Sequence, residues 1–294
     1  MQARPKQPAQ AVRAEAEVLE NRLLPGGGST LSPAGGPADG GDSPNRLLRL
    51  AVPGWPGSRP GQFVMLSPGA VSEVRRDDPL LPRPMAVVRD FRDVGGRVGL
   101  DVLYKVEGRG TALLAEARVG ERLRVVGPLG RPFRLPDPGS RVVVVGGGTG
   151  IASLVGLAAE SAALADVAVI LGARSARDLM ARGDFAALAV RLTIMTEDGS
   201  IGLQGLVTAP LERALKEGGV ARVYCCGPTA MMRRCAELSA EHAVPCVVSL
   251  ENNMACGYGV CLGCAAPRTT GDYALVCRDG PVFDASAIRW EGLP

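Results

Sequence analysis

The chain has 294 residues, 46% of them apolar or aromatic, enough for two or three domains around sizeable cores. Its net charge of +3 is spread without a basic block, so nucleic acid binding has no electrostatic support. No apolar run is long enough to span a bilayer and no secretory signal is visible, which implies a soluble cytoplasmic protein without a membrane partner. A single histidine, His242, excludes chemistry that needs two.

Residues 1–10 are polar and proline-rich and are expected to form a disordered tail. From 11 to 20 apolar and charged residues alternate as in a half-buried strand, and a second strand is expected at 46–52. Between them, 25–44 is dominated by Gly, Pro, Ser and Asp and reads as a flexible loop insertion. Further strands are expected at 61–66, 84–91, 97–104 and 121–126, with a short helix at 111–117 before Gly127-Pro128-Leu129-Gly130 closes the module. Short strands at hairpin-like intervals predict an antiparallel β-barrel over 11–136.

The pattern changes at Arg141. Val142 to Val145 is an apolar β-branched run of the kind buried on both faces of a parallel sheet, and a helical stretch follows from Ile151. Strands at 166–171, 191–195, 221–225 and 246–250 alternate with helices near 178–188, 205–216 and 229–241. That alternation predicts a doubly wound α/β domain, assigned to 140–243. The remaining 244–294 is expected to form a small, loop-rich domain organised by a metal.

Cys256, Cys261, Cys264 and Cys277 stand as C-x4-C-x2-C-x12-C, the spacing by which thiolates hold a two-iron, two-sulfur cluster. Gly257, Gly259 and Gly263 lie among them, where a backbone wrapped around a cluster needs positive φ or lacks room for side chains. The alternative is a structural zinc site, although such sites usually pair two C-x2-C knuckles and only one is present. Of the other thiols, Cys225, Cys235 and Cys246 read as small buried hydrophobes.

The first α/β turn reads Gly146-Gly147-Gly148-Thr149-Gly150, directly after a buried strand. Such a turn lets the backbone approach a pyrophosphate, or merely makes a tight bend. Cys226-Gly227-Pro228 falls at the carboxyl end of a later strand, where open α/β sheets bind ligands, and could border a nicotinamide or simply start the next helix with Pro in its first turn. Arg174 and Ser175 could meet a 2′-phosphate, which leaves NAD against NADP open. In the barrel, Arg83-Pro84-Met85-Ala86, Leu103-Tyr104-Lys105 and Gly110-Thr111 look like flavin contacts. The arginine suits a pyrophosphate, the tyrosine a planar ring, and Gly-Thr at a helix start offers N–H groups and a hydroxyl to phosphate.

Taken in this order, the strings resemble the ferredoxin reductase-like flavoproteins. Within that superfamily, the stretches from Ser249 to Cys264 and from Val276 to Asp284 are similar to the electron transfer subunits of NAD-dependent, class 1B dihydroorotate dehydrogenases, over about residues 11–294 without the insertion. The resemblance implies one FAD and one 2Fe-2S cluster per chain, NAD as nicotinamide partner, and a role in pyrimidine biosynthesis. It also implies an FMN-containing catalytic subunit as partner, two of each in a heterotetramer. By position, Arg83 to Ala86, Leu103 to Lys105, Gly110 and Thr111 would hold FAD, Gly146 to Gly150 and Cys226 to Pro228 the nicotinamide nucleotide, and the four terminal cysteines the cluster. Ala86 stands where the family commonly has a hydroxyl residue, and Arg109 replaces the more usual lysine. The competing readings are a flavoprotein reductase linked to ferredoxin or a hydrogenase, and a zinc-stabilised nucleotide-binding scaffold.

Overall fold

The computed structural model describes residues 10–24, 28, 30, 44–69, 71 and 81–294. The tail expected at 1–10 and the insertion expected at 25–44 lie almost wholly outside the described residues. Six strands, β1 (Val12–Leu23), β2 (Asn45–Ala51), β3 (Phe63–Leu66), β4 (Arg83–Arg92), β5 (Val98–Lys105) and β6 (Arg122–Leu129), close into a barrel. The order is β1-β2-β5-β4-β3-β6, with antiparallel neighbours, and α1 (Arg109–Glu116) lies between β5 and β6 in sequence. The period of two along each strand decides which side chains fill it. Leu48, Leu50, Val102 and Tyr104 point inward with Ala16, Val18, Leu123 and Val125, whereas Leu47 and Leu103 point out and join a different core.

The second module begins with β7 (Arg141–Gly147). It continues through α2 (Val155–Ala162), β8 (Asp166–Ala173), α3 (Arg182–Ala186), β9 (Arg191–Thr196), β10 (Leu203–Gln204), α4 (Thr208–Glu217), β11 (Val220–Cys226), α5 (Thr229–Glu241) and β12 (Cys246–Ser249). The C-terminal residues add the hairpin β13 (Ala265–Pro267) and β14 (Tyr273–Leu275), the one-turn α6 (Val276–Asp279), and β15 (Val282–Asp284). The large sheet runs β10-β9-β8-β7-β11-β12-β15, parallel except for β15. The doubly wound arrangement expected from the alternating pattern is present, and it continues past residue 244 through β12.

Three helices differ from expectation. The helix expected from Ile151 begins instead as a 3₁₀ turn over Gly148–Leu154, with Gly148 at φ +54°. The one expected near 178–188 shrinks to a 3₁₀ turn, Ala176–Asp178, and α3, because Leu179, Met180 and Ala181 turn into the core between them. The helix expected from 205 starts at Thr208, which leaves Pro210 in its first turn, where a missing N–H costs nothing.

Barrel and sheet share one core. Leu24, Leu47, Val88 and Leu103 from the barrel pack with Val142, Val144, Ile151 and Leu154 of the sheet module, and Phe133 of the connecting segment plugs the seam. Phe133 donates its N–H to the Pro60 carbonyl at 2.8 Å and meets Tyr224 edge-on at 5.9 Å between ring centroids. Gly156 of α2 lies against β4, where an added Cβ would sit 3.2 Å from the Val88 carbonyl oxygen. Phe133→Ala leaves this seam unfilled and is expected to cost about 3–4 kcal/mol, measured by chemical denaturation of the cofactor-loaded protein.

Candidate functional site

Two cavities open along the seam and share a wall. The first, about 570 Å³, is lined by the barrel residues Arg83, Pro84, Met85, Ala86, Leu103, Tyr104, Lys105 and Thr111, and by Thr149, Gly227, Pro228 and residues 249–254 of the sheet module. The second, about 500 Å³, runs over the carboxyl ends of the parallel strands, past Gly147, Gly148, Gly172, Arg174, Glu197, Thr208 and Met231. Lys105, Glu107, Thr149, Pro228 and Glu251 line both.

At one end of the first cavity the guanidinium of Arg83 crosses the start of α1. A Cβ at Gly110 would lie 2.5–2.7 Å from Arg83 Nε, Cζ and Nη2, so glycine is what admits the arginine there. The first N–H groups of a helix have no partner within it, and together with the guanidinium they make an anion-binding corner. The Thr111 hydroxyl is occupied locally: it accepts from the Glu107 and Gly108 N–H groups at 3.0 and 3.1 Å and donates to the Gly108 carbonyl at 2.9 Å. Tyr104 borders the cavity, but its ring belongs to the barrel interior. Its hydroxyl donates to Asn21 Oδ1 at 3.0 Å, and Asn21 Nδ2 donates to the carbonyls of Leu114 and Ala117, both at 2.8 Å, at the end of α1. Burial pushes the Tyr104 phenol up to about 12. The residue therefore props α1 from behind.

The glycine turn serves several purposes. Gly146 is hemmed in by Ile151, Leu154 and Leu171, and Gly147 by Met231 and Pro228. A Cβ at Gly150 would meet the Gly227 backbone nitrogen at 2.5 Å, so this turn and the Cys226-Gly227-Pro228 turn pack backbone to backbone. Only Gly148 of the four glycines has open space where a side chain would go, and it lines the second cavity. Cys226 lies beneath the floor, fully buried, its Sγ donating to the Ser249 carbonyl at 3.3 Å; burial pushes its thiol up to about 12, which keeps it protonated and inert. Cys225, Cys235 and Cys246 are buried as expected.

Glu251 and Glu107, in the shared wall, were missed from sequence. Glu251 is exposed where it opens onto both cavities, and Thr149 hydrogen-bonds it. Partial desolvation by the neighbouring protein, reinforced by the charge of Glu107, raises its carboxyl above the ordinary range against that hydrogen bond. A signal existed: Glu251 lies two residues past the last parallel strand, at the sheet edge where ligands bind.

The four terminal thiols fall into two pairs. Cys264 and Cys277 are 3.2 Å apart between sulfurs, and the Cys261 thiol lies near enough to Cys256 to favour its thiolate. Burial raises the Cys256 thiol, but the N–H groups of Cys261, Tyr258 and Val260 aimed at its sulfur outweigh that and bring it to about 6. Gly257, Gly259 and Leu262 have φ of +84°, +86° and +61°, as a tightly wound loop requires. Gly257 also packs on the barrel, where a Cβ would lie 2.4 Å from Met65 Cγ.

The family model described as the iron-sulfur cluster binding domain of dihydroorotate dehydrogenase B matches residues 251–289, and the oxidoreductase NAD-binding domain matches 144–237. A relative from Desulforamulus reducens, named dihydroorotate dehydrogenase B (NAD(+)), electron transfer subunit, is 39% identical over 85% of this chain and 91% of its own. The chain belongs to this electron transfer subunit family. A Bacillus caldolyticus member is 37% identical over 78% of this chain and 86% of its own. Among solved structures, an NADH-dependent reduced ferredoxin-NADP oxidoreductase chain has a TM-score of 0.77 and 26% identity, covering 95% of this chain and 91% of that one. The ferredoxin reductase of carbazole 1,9a-dioxygenase, at TM-score 0.62 and 21% identity over 82% of this chain and 68% of that one, shares the fold.

The cofactors of this electron transfer subunit are FAD, a 2Fe-2S cluster and NAD. The residues present fit all three. An anion corner at Arg83 and Gly110 suits a flavin dinucleotide, and an open Gly148 suits a second dinucleotide. Two pairs of thiols suit two irons, each holding two, better than the single centre of a zinc site.

Gly110→Ala is expected to displace Arg83 and lower the bound FAD per chain, read from the ratio of flavin to protein absorbance. Gly108→Ala, where a Cβ has open space, should retain it. For Glu251, the native carboxyl binds its proton at higher pH than the unfolded one, so stability falls as pH rises from the ordinary value of 4.5 through the raised native value. Because the carboxyl is open to solvent in the cavities, Glu251→Gln is expected to raise Tm only slightly above that window and leave it unchanged below it, as thermal melts at several pH values would record.

Proposed function

We propose that this chain relays electrons between an FMN-bearing dihydroorotate dehydrogenase catalytic subunit and NAD+, within pyrimidine biosynthesis. The observation that carries the reading is the shared wall of the two cavities, with the thiol loop packed on the same barrel. When bound, the cluster passes electrons singly, the flavin converts single electrons into pairs, and the nicotinamide takes a pair as hydride.

This chain's residues bind, orient and separate these groups. Arg83 to Ala86, Leu103 to Lys105, Gly110 and Thr111 hold FAD in the first cavity, with Arg83 and the start of α1 on its pyrophosphate. Tyr104 contributes by propping α1. Gly147 to Thr149 and Pro228 form the floor on which the nicotinamide nucleotide lies in the second cavity, with Gly146, Gly150, Cys226 and Gly227 packed behind them. Cys256, Cys261, Cys264 and Cys277 hold the cluster, two to each iron, and the N–H groups aimed at Cys256 favour its thiolate.

The partner reading has support from the surface. Tyr258, Val260 and Leu262, interleaved with the cysteines, are exposed apolar side chains, and Tyr273 is exposed too. Leu262 keeps a left-handed backbone while its side chain faces outward. Apolar groups held out beside a redox centre suit a subunit interface that shortens the path to a second flavin. Two chains of each kind per assembly, in a heterotetramer, follow the family resemblance. A reducing cytoplasm suits a chain with eight free thiols.

Anaerobic co-purification with the FMN subunit, followed by a dihydroorotate-to-NAD+ assay, tests the assignment. Activity with ferredoxin and none with dihydroorotate would instead support the ferredoxin-linked reading suggested by the ferredoxin-NADP oxidoreductase likeness. Replacing any one of the four cysteines with serine is expected to abolish dihydroorotate-dependent NAD+ reduction while NADH still reduces FAD. If both reactions survive, the cluster is off the path.

A further inference from the structure

Asp184, in the first turn of α3, is a buried carboxylate on which three parts of the chain converge. Arg89 of β4 reaches it across the seam, Nη2 to Oδ1 2.5 Å. Thr30, from the connection between β1 and β2, donates its N–H to Oδ2 at 2.9 Å and its hydroxyl to Oδ1. Behind Arg89 lies Asp101, fully buried and held in a fork by Arg49 at 2.7 and 2.8 Å. The carboxylate, itself buried, thus fixes α3 to the barrel through charge-assisted bonds.

The segment leading into α3 supplies Arg174, Asp178 and Met180 to the wall of the second cavity. It is tied to the barrel at its middle, where Lys105 Nζ lies 3.5 Å from Asp178 Oδ1 and Asn45 Nδ2 donates to the Leu179 carbonyl at 3.4 Å. Between this tie and Asp184 stands Ala181, buried, at φ +52°, a left-handed conformation that a residue with a Cβ rarely adopts. Such a backbone persists only where its surroundings hold it at both ends.

We propose that Asp184 is a positioning residue for the nicotinamide nucleotide. The clasp formed by Arg89 and Thr30 on its carboxylate holds residues 174–181 in the strained path that shapes the second cavity. The role rests on the assignment of that cavity to NADH. It also gives Thr30 a task in nucleotide binding, although it lines neither cavity.

The test uses the cofactor-loaded protein with NADH as ligand and ferricyanide as electron acceptor. Asp184→Asn weakens the Arg89 pair, and Thr30→Val removes the hydroxyl with little change of shape. Each is expected to raise KM for NADH about tenfold, with kcat and FAD content held near wild type. The double variant should be little worse than either single one, since both break the same clasp. Thr30→Ser should restore wild-type KM. A role in stability alone would lower Tm and FAD content and leave KM in place. Thr208→Trp, which fills the second cavity, serves as the control. If it raises KM and Thr30→Val does not, the clasp is refuted and the cavity assignment stands. If neither raises KM, the cavity assignment falls and the clasp with it. Should Asp184→Asn fail to fold, Thr30→Val and Thr30→Ser decide the matter.

Discussion

The apolar seam between the barrel and the parallel sheet is the constraint from which the rest follows. Hydride passes only between groups in near contact, so two dinucleotides on separate modules need those modules fixed to a fraction of a side chain's width. Leu47, Val88 and Leu103 meet Ile151 and Leu154 directly, and Phe133 fills what the strands leave. An interior packed at crystal-like density resists sliding in a way that a wet or polar interface would not. The strands that supply this seam also end at the cavities: Leu103 packs and Lys105, two residues on, lines the wall.

On that platform the glycines divide their labour. At Gly150 and Gly227 the issue is backbone approaching backbone, at Gly110 a guanidinium crossing a helix start, and only at Gly148 open space left beside a cavity. Reading this glycine-rich turn as a phosphate cradle accounts for Gly148 alone, since its other glycines are filled in by neighbouring protein. Most of its glycines exist so that protein can touch protein, which is what brings the two loops close enough for one ligand to lie across both.

Legibility in the sequence followed the range of the interactions. The six barrel strands and the parallel strands announce themselves through local alternation and β-branched runs, and the thiols through their spacing, because these signals are complete within a few residues. Tyr104 shows the limit: its place at the cavity edge was readable, but the direction of its ring depended on Asn21, a partner 83 residues away. The pairing of Arg89 with Asp184 is likewise written nowhere local, since charges separated by 95 residues meet only after both modules fold. Glu251 marks another limit: a lone carboxylate carries no pattern of its own in sequence, and only its position just past the last parallel strand points to the ligand edge. The shortened helix around 176–186 reflects tertiary override, as burying Leu179 and Met180 outweighed the helical preference of the stretch.

The three-residue β15 escaped any periodicity reading, yet it pairs antiparallel with β12, Val248 opposite Phe283. It thereby covers the row of amide and carbonyl groups that β12 would otherwise present to any passing strand. At the opposite margin β10 is only two residues long, too short to template pairing. During synthesis β15 is the last strand to emerge, so until residue 284 is made the β12 edge, Cys246-Val247-Val248-Ser249, stays bare. Leu275, Val276, Ala285 and Ile288 also share a core with Val223 and Val248, so a chain stopped short of that point loses part of its sheet packing along with the cover on the β12 margin, and the cluster-bearing end seals the sheet as well as serving as a conduit for electrons.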